Sequence, residues 1–175
     1  RYPIHLLVAA RPGLPDIGRV TDSTLQGASV LVIEDEPLLR KQVAAALEQR
    51  DADVTAVGTL DEARRMIQSL PFDFVLLDVN LPDGLGTDLL SENIFSPNTA
   101  VVVCTAEGGV LGAVEAIKNG AQDYLLKPVD PAVLPLVLHR ANTSRQTARL
   151  AAHDRHNPAA TGAPPSPGHP PGPPR

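Results

Sequence analysis

The stretch FDFVLLDVNLPDGLG, residues Phe72 to Gly86, decides the fold of this chain. The run 74–77 is short and wholly apolar, which predicts a strand buried on both faces of a sheet. Asp78 ends that run, and because a carboxylate is costly inside such a strand, we expect it at the strand's carboxyl-terminal tip. Proline and glycine within 81–84 then predict a turn. The pattern predicts Asp78 at the sheet edge where ligands of α/β proteins bind.

The same pattern repeats on both sides of this stretch. Five apolar runs predict strands, which cover residues 30–33, 53–57, 74–77, 100–104 and 123–126. Segments with helical spacing of apolar residues follow them, and these start near Pro37, Thr59, Thr87, Glu107 and Asp130. Alternating strands and helices predict a parallel sheet between two layers of helices. Right-handed connections then bring all five strand tips to one edge.

Several residues predict where the helices begin and end. Thr59 and Glu62 have the spacing of a capping box, and Thr87 is expected to cap a short helix through Asn93. Gly120 is expected to stop the helix over 107–119. Pro135 is expected to kink the last helix, over 130–144, or to delay its start.

Composition bounds the organisation of the 175 residues. We expect a poorly ordered lead-in over 1–27, with one short strand near 4–8, then a single domain over 28–145 and a Pro-rich disordered tail over 146–175. The net charge of −5 argues against nonspecific nucleic-acid binding. A single cysteine, Cys104, excludes a disulfide framework, and no apolar run is long enough to span a membrane. These features favour a cytoplasmic protein or a piece of one.

Polar side chains lie at four of the five predicted strand tips. They are two carboxylates after the first strand, one after the third, a hydroxyl after the fourth and an amine after the fifth: Glu34, Asp35, Asp78, Thr105 and Lys127. Crowded carboxylates repel one another unless a cation neutralises them, and Mg²⁺ prefers such oxygen ligands. The lysine offers a positive charge to a further anionic group. The set predicts a site for a phosphoryl group, in which one carboxylate is the nucleophile.

These residues carry a resemblance to a known family. VLVIEDE, FVLLDVNLPDG, VVVCTA and DYLLKPVD occur in the order, and at the strand ends, found in the receiver domains of bacterial two-component response regulators, the CheY-like family. The resemblance covers residues 29–143. The stretch from Thr105 to Asp130 is similar to receivers of AAA+ enhancer-binding regulators. The family resemblance implies a flavodoxin-like sheet of strand order 2-1-3-4-5.

The resemblance also implies a role for each residue at the strand tips. Asp78 would accept a phosphoryl group from a histidine kinase, and Mg²⁺ would be bound by Glu34, Asp35, Asp78 and the backbone carbonyl of Asn80. Lys127, in a cis bond to Pro128, would pair with the phosphoryl group. Thr105 and Tyr124 would act as a switch, with Tyr124 rotating inward as Thr105 moves towards the phosphate. Asn80 and Glu107 would tune the loss of the phosphate, which we expect to be comparatively fast.

The expected output is a change of surface and not an enzymatic turnover. Phosphorylation would alter the face formed by the helix over 107–119, the strand of Tyr124 and the last helix, where family members form homodimers or bind partners. Transcription would then be regulated through an output domain that this sequence lacks. No Walker motif or helix-turn-helix can be recognised after Ala141.

Two other functions fit parts of the pattern. A haloacid-dehalogenase-type phosphatase also uses an aspartyl phosphate and Mg²⁺, but its DxD motif matches poorly, since Asp78 is followed by Val79 and Asn80. A receiver-like module that works through protein contacts alone would be expected to have a damaged site. Here all the predicted site residues are present.

Overall fold

Five parallel strands form the centre of the molecule. In the computed structural model, which describes residues 23–106 and 110–156, they are β1 (Ser29–Ile33), β2 (Asp53–Val57), β3 (Phe74–Asp78), β4 (Ala100–Thr105) and β5 (Asp123–Leu126). Their order across the sheet is β2-β1-β3-β4-β5, with every pair parallel. The predicted strands and the predicted flavodoxin-like order are confirmed, with single-residue differences at the ends of β1, β3 and β4.

The central strands are buried on both faces, as their apolar runs predict. Every residue of β3 and β4 is buried. Helices cover both faces: α1 (Pro37–Glu48), α2 (Leu60–Ser69), α3 (Thr87–Ser91), α4 (Val110–Lys118) and α5 (Leu134–His156). One core cluster joins the sheet to α1 and α5, and a second joins it to α2, α3 and α4. These two clusters hold the strand tips in fixed relation.

The helix ends differ from the predicted ones in two places. Thr59 caps α2 as predicted, but Glu62 accepts a hydrogen bond from the backbone N–H of Gly58 and not from that of Thr59. Thr87 is the first residue of α3 rather than its cap, because Gly86 occupies the cap position without a side-chain hydrogen bond. The predicted start of α4 at Glu107 lies outside the described residues, and Gly120 follows the helix with a φ of 101°, as expected for a stop.

The last helix starts late and runs further than predicted. A 3₁₀ turn over Pro131–Val133 precedes α5, so Pro135 lies in the first turn, where a missing N–H costs no helical bond. The helix continues to His156. The assignment of 146–156 to a disordered tail is therefore wrong, and the rest of that tail lies outside the described residues.

Residues before β1 pack on the domain. The segment 23–25 is a helical turn, and Leu25 is fully buried in the cluster that contains Leu134 and Leu138 of α5. Thr24 Oγ1 lies 2.9 Å from His139 Nδ1. The end of the predicted lead-in is therefore ordered, whereas the expected strand over 4–8 lies outside the described residues. Within the part of the chain that the structure describes, no helix has the length and apolarity to cross a membrane.

Candidate functional site

The sheet brings the predicted polar residues together at the carboxyl edge of its strands. Glu34 and Asp35 follow β1, Asp78 and Thr105 end the adjacent strands β3 and β4, and Lys127 follows β5. Glu34 and Asp78 are only 5% and 4% exposed, whereas Asp35 is exposed. Two of the three carboxylates are thus largely withdrawn from water. Such burial is costly unless a cation compensates the charge.

Lys127 supplies that compensation. Its Nζ lies 2.7 Å from Glu34 Oε2 and 2.8 Å from Asp78 Oδ2. Burial alone would lower the pKa of Lys127, but the hydrogen bonds to Asp78 and Glu34 outweigh that effect and raise the pKa above its ordinary value. The lysine therefore stays charged and bridges two carboxylates that belong to different strands.

The bridge does not fully offset the cost of the Glu34 charge, and the pKa of Glu34 is raised above its ordinary value. Burial raises the pKa of Glu34, and repulsion from Asp78 adds to the rise. Hydrogen bonds from Lys127 and from the backbone N–H of Glu36 oppose the rise without cancelling it. The site accordingly favours a further positive charge next to Glu34.

The carboxylates are arranged to hold a cation. One oxygen each of Glu34, Asp35 and Asp78 lies within 4.8 Å of the other two. Oxygen donors of this kind suit a hard divalent ion such as Mg²⁺. Asn80, the fourth predicted ligand, is close by: its backbone N–H donates to Asp78 Oδ1 at 3.3 Å. The donor set therefore fits the metal that the sequence predicts.

Thr105 is buried at the tip of β4, and its backbone carbonyl accepts a hydrogen bond from Lys127 N at 2.9 Å. The Lys127–Pro128 peptide is cis, as the sequence resemblance implied. Tyr124 pairs with Val103 in the sheet, and its side chain is 38% exposed. Glu107, the other residue predicted to tune dephosphorylation, lies outside the described residues.

An arginine that the sequence analysis did not identify, Arg40, binds the backbone of the loop that carries Glu34 and Asp35. Arg40 Nη1 donates to the backbone carbonyl of Glu34 at 2.6 Å and reaches that of Asp35 at 3.3 Å. Gly58 leaves room for it, since a Cβ there would lie 2.7 Å from Nη1. The sequence did contain a signal for this contact, because Arg40 lies in the first turn of the helix that follows Glu34 and Asp35. The sequence alone did not show that it binds carbonyls and not carboxylates.

Comparison with known proteins agrees with this geometry. The model of the response regulator receiver domain family matches residues 30–139. The response regulator protein PilR of Pseudomonas aeruginosa is 39% identical over 101 residues, which are 57% of this chain and 23% of PilR. The chain thus spans about a quarter of that relative's length.

Two solved structures have the same fold. One is a response regulator protein from Burkholderia pseudomallei with a phosphorylated aspartic acid, a calcium ion and citrate, at a TM-score of 0.61, 27% identity and 75% coverage of each chain. The other is the beryllofluoride-activated NtrC4 receiver domain dimer, at a TM-score of 0.61, 36% identity and coverage of 67% of this chain and 98% of that chain. PilR and NtrC4 are of the AAA+ enhancer-binding type that the sequence indicated. The chain belongs to the response regulator receiver family, and it carries the receiver domain of a two-component response regulator.

Proposed function

We propose that Asp78 is the phosphoacceptor of this receiver, and that a histidine kinase is its donor. The observation that carries the proposal is the position of Asp78: a buried carboxylate at a strand tip, 2.8 Å from the Lys127 ammonium and grouped with Glu34 and Asp35. The related structure with a phosphorylated aspartic acid and a calcium ion supports this chemistry.

In the transfer, one Asp78 carboxylate oxygen attacks the phosphorus of the donor. The new oxygen–phosphorus bond makes an acyl phosphate, and the bond from phosphorus to the donor breaks, so the donor leaves with that electron pair. Mg²⁺, held by Glu34, Asp35, Asp78 and the Asn80 carbonyl, would neutralise charge on the phosphoryl oxygens. Lys127 exchanges its bond to Asp78 for one to a phosphoryl oxygen.

The change at Lys127 and Thr105 carries the signal to a surface. Thr105 donates its hydroxyl to a phosphoryl oxygen, and Tyr124, on the neighbouring edge strand, moves inward. We propose that the chain acts as a switch and not as an enzyme, although it can take phosphoryl groups from small donors. The AAA+ relatives support a role in the control of transcription, in the cytoplasm.

The experiment that tests this function is incubation with acetyl phosphate and Mg²⁺, followed by intact-mass analysis. Wild type should gain the mass of one phosphoryl group, only with Mg²⁺ present, and Asp78→Ala should gain none. Asp88→Ala is the matched control, because Asp88 is an exposed carboxylate of nearby α3. A wild type that binds Mg²⁺ but gains no phosphoryl group would favour a module that works through protein contacts alone.

We also propose that the phosphate on Asp78 is lost comparatively quickly, because Asn80 and Glu107 are polar groups able to orient a hydrolytic water. The half-life of the adduct is measured after the donor is removed. An Asn80→Met, Glu107→Leu double variant should retain its phosphate longer than wild type. A wild-type phosphate that lasts longer than that of the variant contradicts this role.

A further inference from the structure

The turn after Asp78 makes a contact that the proposed phosphotransfer does not use. Residues 79–86 form a small hairpin, and Asp83 lies at its tip. The Asp83 carboxylate accepts two backbone hydrogen bonds from α2: Leu60 N donates to Oδ1 at 2.8 Å, and Asp61 N donates to Oδ2 at 3.0 Å. These bonds join residues 23 and 22 positions apart in the chain.

The contact completes the cap of α2. The first N–H groups of a helix have no partner inside the helix. Thr59 Oγ1 accepts from Glu62 N at 3.2 Å, and Asp83 accepts from the two residues between them. A carboxylate at this end is also favoured by the helix dipole. The hydrogen bond from Leu60 lowers the pKa of Asp83, so it is ionised at neutral pH.

A second contact holds the same hairpin tip against α2. Gly84 has a φ of 149°, and a Cβ there would lie 2.8 Å from Leu60 Cδ1. Leu60 is itself buried. The hairpin tip therefore contacts both the backbone N–H and the side chain of Leu60. A side chain at position 84 would push the tip away from α2.

The hairpin connects that tip directly to the phosphoacceptor. Asn80 pairs with Leu85 across the hairpin, and Gly86 N donates to Val79 O at 2.7 Å. At its base the hairpin is packed against Asp78, since a Cβ on Gly86 would lie 1.9 Å from the Asp78 carbonyl oxygen. A shift of the tip is thus passed to Asn80 and Asp78, with no loose segment between them.

We infer that Asp83 is a positioning residue for the metal site: by fixing the hairpin to the start of α2, it holds the Asn80 carbonyl where Mg²⁺ is bound. This inference rests on the proposed function, because it takes Asn80 and Asp78 as ligands. Residues that orient metal ligands typically contribute a tenfold to hundredfold factor in metal affinity. Asp83→Ala is therefore expected to weaken Mg²⁺ binding about tenfold.

The test is the Mg²⁺ dissociation constant of the full chain, measured by isothermal titration calorimetry beside the thermal midpoint of unfolding. Thr59→Ala is the matched structural control, because it removes the other cap of the same helix end without touching the hairpin. Asp88→Asn controls for the loss of one negative charge nearby. Asp83→Asn keeps one acceptor oxygen and is expected to lose less affinity than Asp83→Ala.

Thr59→Ala is expected to lower the thermal midpoint while its Mg²⁺ affinity stays at the wild-type value. Asp83→Ala is expected to lose Mg²⁺ affinity at temperatures where it is folded. Equal affinities in wild type and Asp83→Ala, or equal losses in Asp83→Ala and Thr59→Ala or Asp88→Asn, would overturn the inference and leave the proposed function standing. A wild type that binds no Mg²⁺ would overturn both.

Discussion

Glu34 makes the metal-free domain less stable than its packing would allow. Its carboxylate is buried beside Asp78. Burial raises the pKa of Glu34 most, and repulsion from the Asp78 carboxylate raises it further. A carboxyl group whose pKa is raised by folding stabilises the fold below its ordinary pKa, and this contribution is lost as the pH rises through the raised value. Ionisation of Glu34 therefore works against the stability of the metal-free fold.

Replacing Glu34 by its neutral isostere should remove this cost. Without Mg²⁺, we expect Glu34→Gln to have a higher free energy of unfolding than wild type at pH 7, and the difference should vanish below about pH 4.5. Urea unfolding in EDTA at several pH values measures it. Added Mg²⁺ should stabilise wild type more than the variant. A variant less stable than wild type at pH 7 would contradict this account of Glu34.

The contribution of Lys127 to stability should also fall as the pH rises, but only in the alkaline range. Lys127→Met removes two charged hydrogen bonds and is expected to cost about 2 kcal/mol at pH 7. Because the pKa of Lys127 is raised, its contribution is complete below about 10.5 and is lost as the pH rises through the higher, folded-state value. The stability gap between wild type and variant, measured by thermal unfolding, should therefore be constant from pH 7 to 10 and narrow above that. A gap that already narrows near pH 8 would argue against this bridge.

At the scale of elements, the hairpin after β3 depends on a glycine for reasons of space and not of backbone conformation. Gly86 has a φ of −55°, which any residue can adopt. Its missing side chain matters because a Cβ would lie 1.9 Å from the carbonyl oxygen of Asp78. The nearest atom is part of the backbone, and not the end of a flexible side chain that could move away.

Gly86→Ala is expected to displace the hairpin, at a cost of about 1–3 kcal/mol in stability and with weaker Mg²⁺ binding. Gly120→Ala is the matched control: its φ of 101° is strained for alanine, but nothing lies within 4 Å of the added Cβ. Urea unfolding and calorimetry should show that both variants lose stability and only Gly86→Ala loses metal affinity. Loss of affinity in both would mean that general destabilisation is responsible.

Helix α5 has two halves with different roles in packing. Leu138 is 0% exposed, whereas Leu150 is 70% exposed. Leu138→Ala should therefore cost about 2–5 kcal/mol in the free energy of unfolding, and Leu150→Ala should change it by less than about 0.5 kcal/mol. Urea denaturation of the two variants measures the difference. A large loss in Leu150→Ala would show that this half of α5 is covered in solution.

At the scale of the whole molecule, one face is apolar and open. Partly exposed apolar side chains lie on three neighbouring elements, α4, β5 and α5: Val114, Ile117, Tyr124, Leu126 and Leu136. This is the face at which the sequence resemblance implied dimers, and the NtrC4 receiver was solved as a beryllofluoride-activated dimer. We propose that phosphorylation of this chain promotes a dimer through this face.

On a sizing column, wild type treated with beryllofluoride and Mg²⁺ should then elute as a dimer. Leu126→Glu should remain a monomer because it places a charge within this face, yet it should still be phosphorylated by acetyl phosphate. Leu38→Glu, at a leucine of α1 that is 63% exposed against 46% for Leu126, should dimerise like wild type. If Leu126→Glu still forms dimers, the dimer interface is on another surface and the proposed face is wrong.

The sheet and its tip residues could be predicted because each is announced locally. An apolar run that ends in a polar residue, such as Asp78 or Thr105, indicates both a buried strand and the position at which that strand reaches the edge of the core. The contacts of Arg40 and Asp83 could not be predicted, since neither follows a periodicity. The Arg40 side chain bonds backbone carbonyls six and five positions away, and Asp83 bonds a helix start 23 positions away. The second half of α5 was missed for another reason: it has no apolar stripe, and its alanines and arginines favour a helix only through intrinsic propensity.

The length of α5 has a mechanical consequence. Its 23 residues extend about 35 Å, whereas the six residues of β4 extend about 20 Å. The described side chains beyond residue 145 are exposed, so this part of α5 is an overhang beyond the packed half. Arg149 contacts Asn98 at the near end of the overhang. The overhang is a lever arm: if the packed half pivots by about 10°, the far end, about 16 Å away, sweeps about 3 Å. A small displacement near the packed half is thus enlarged at the far end of the helix.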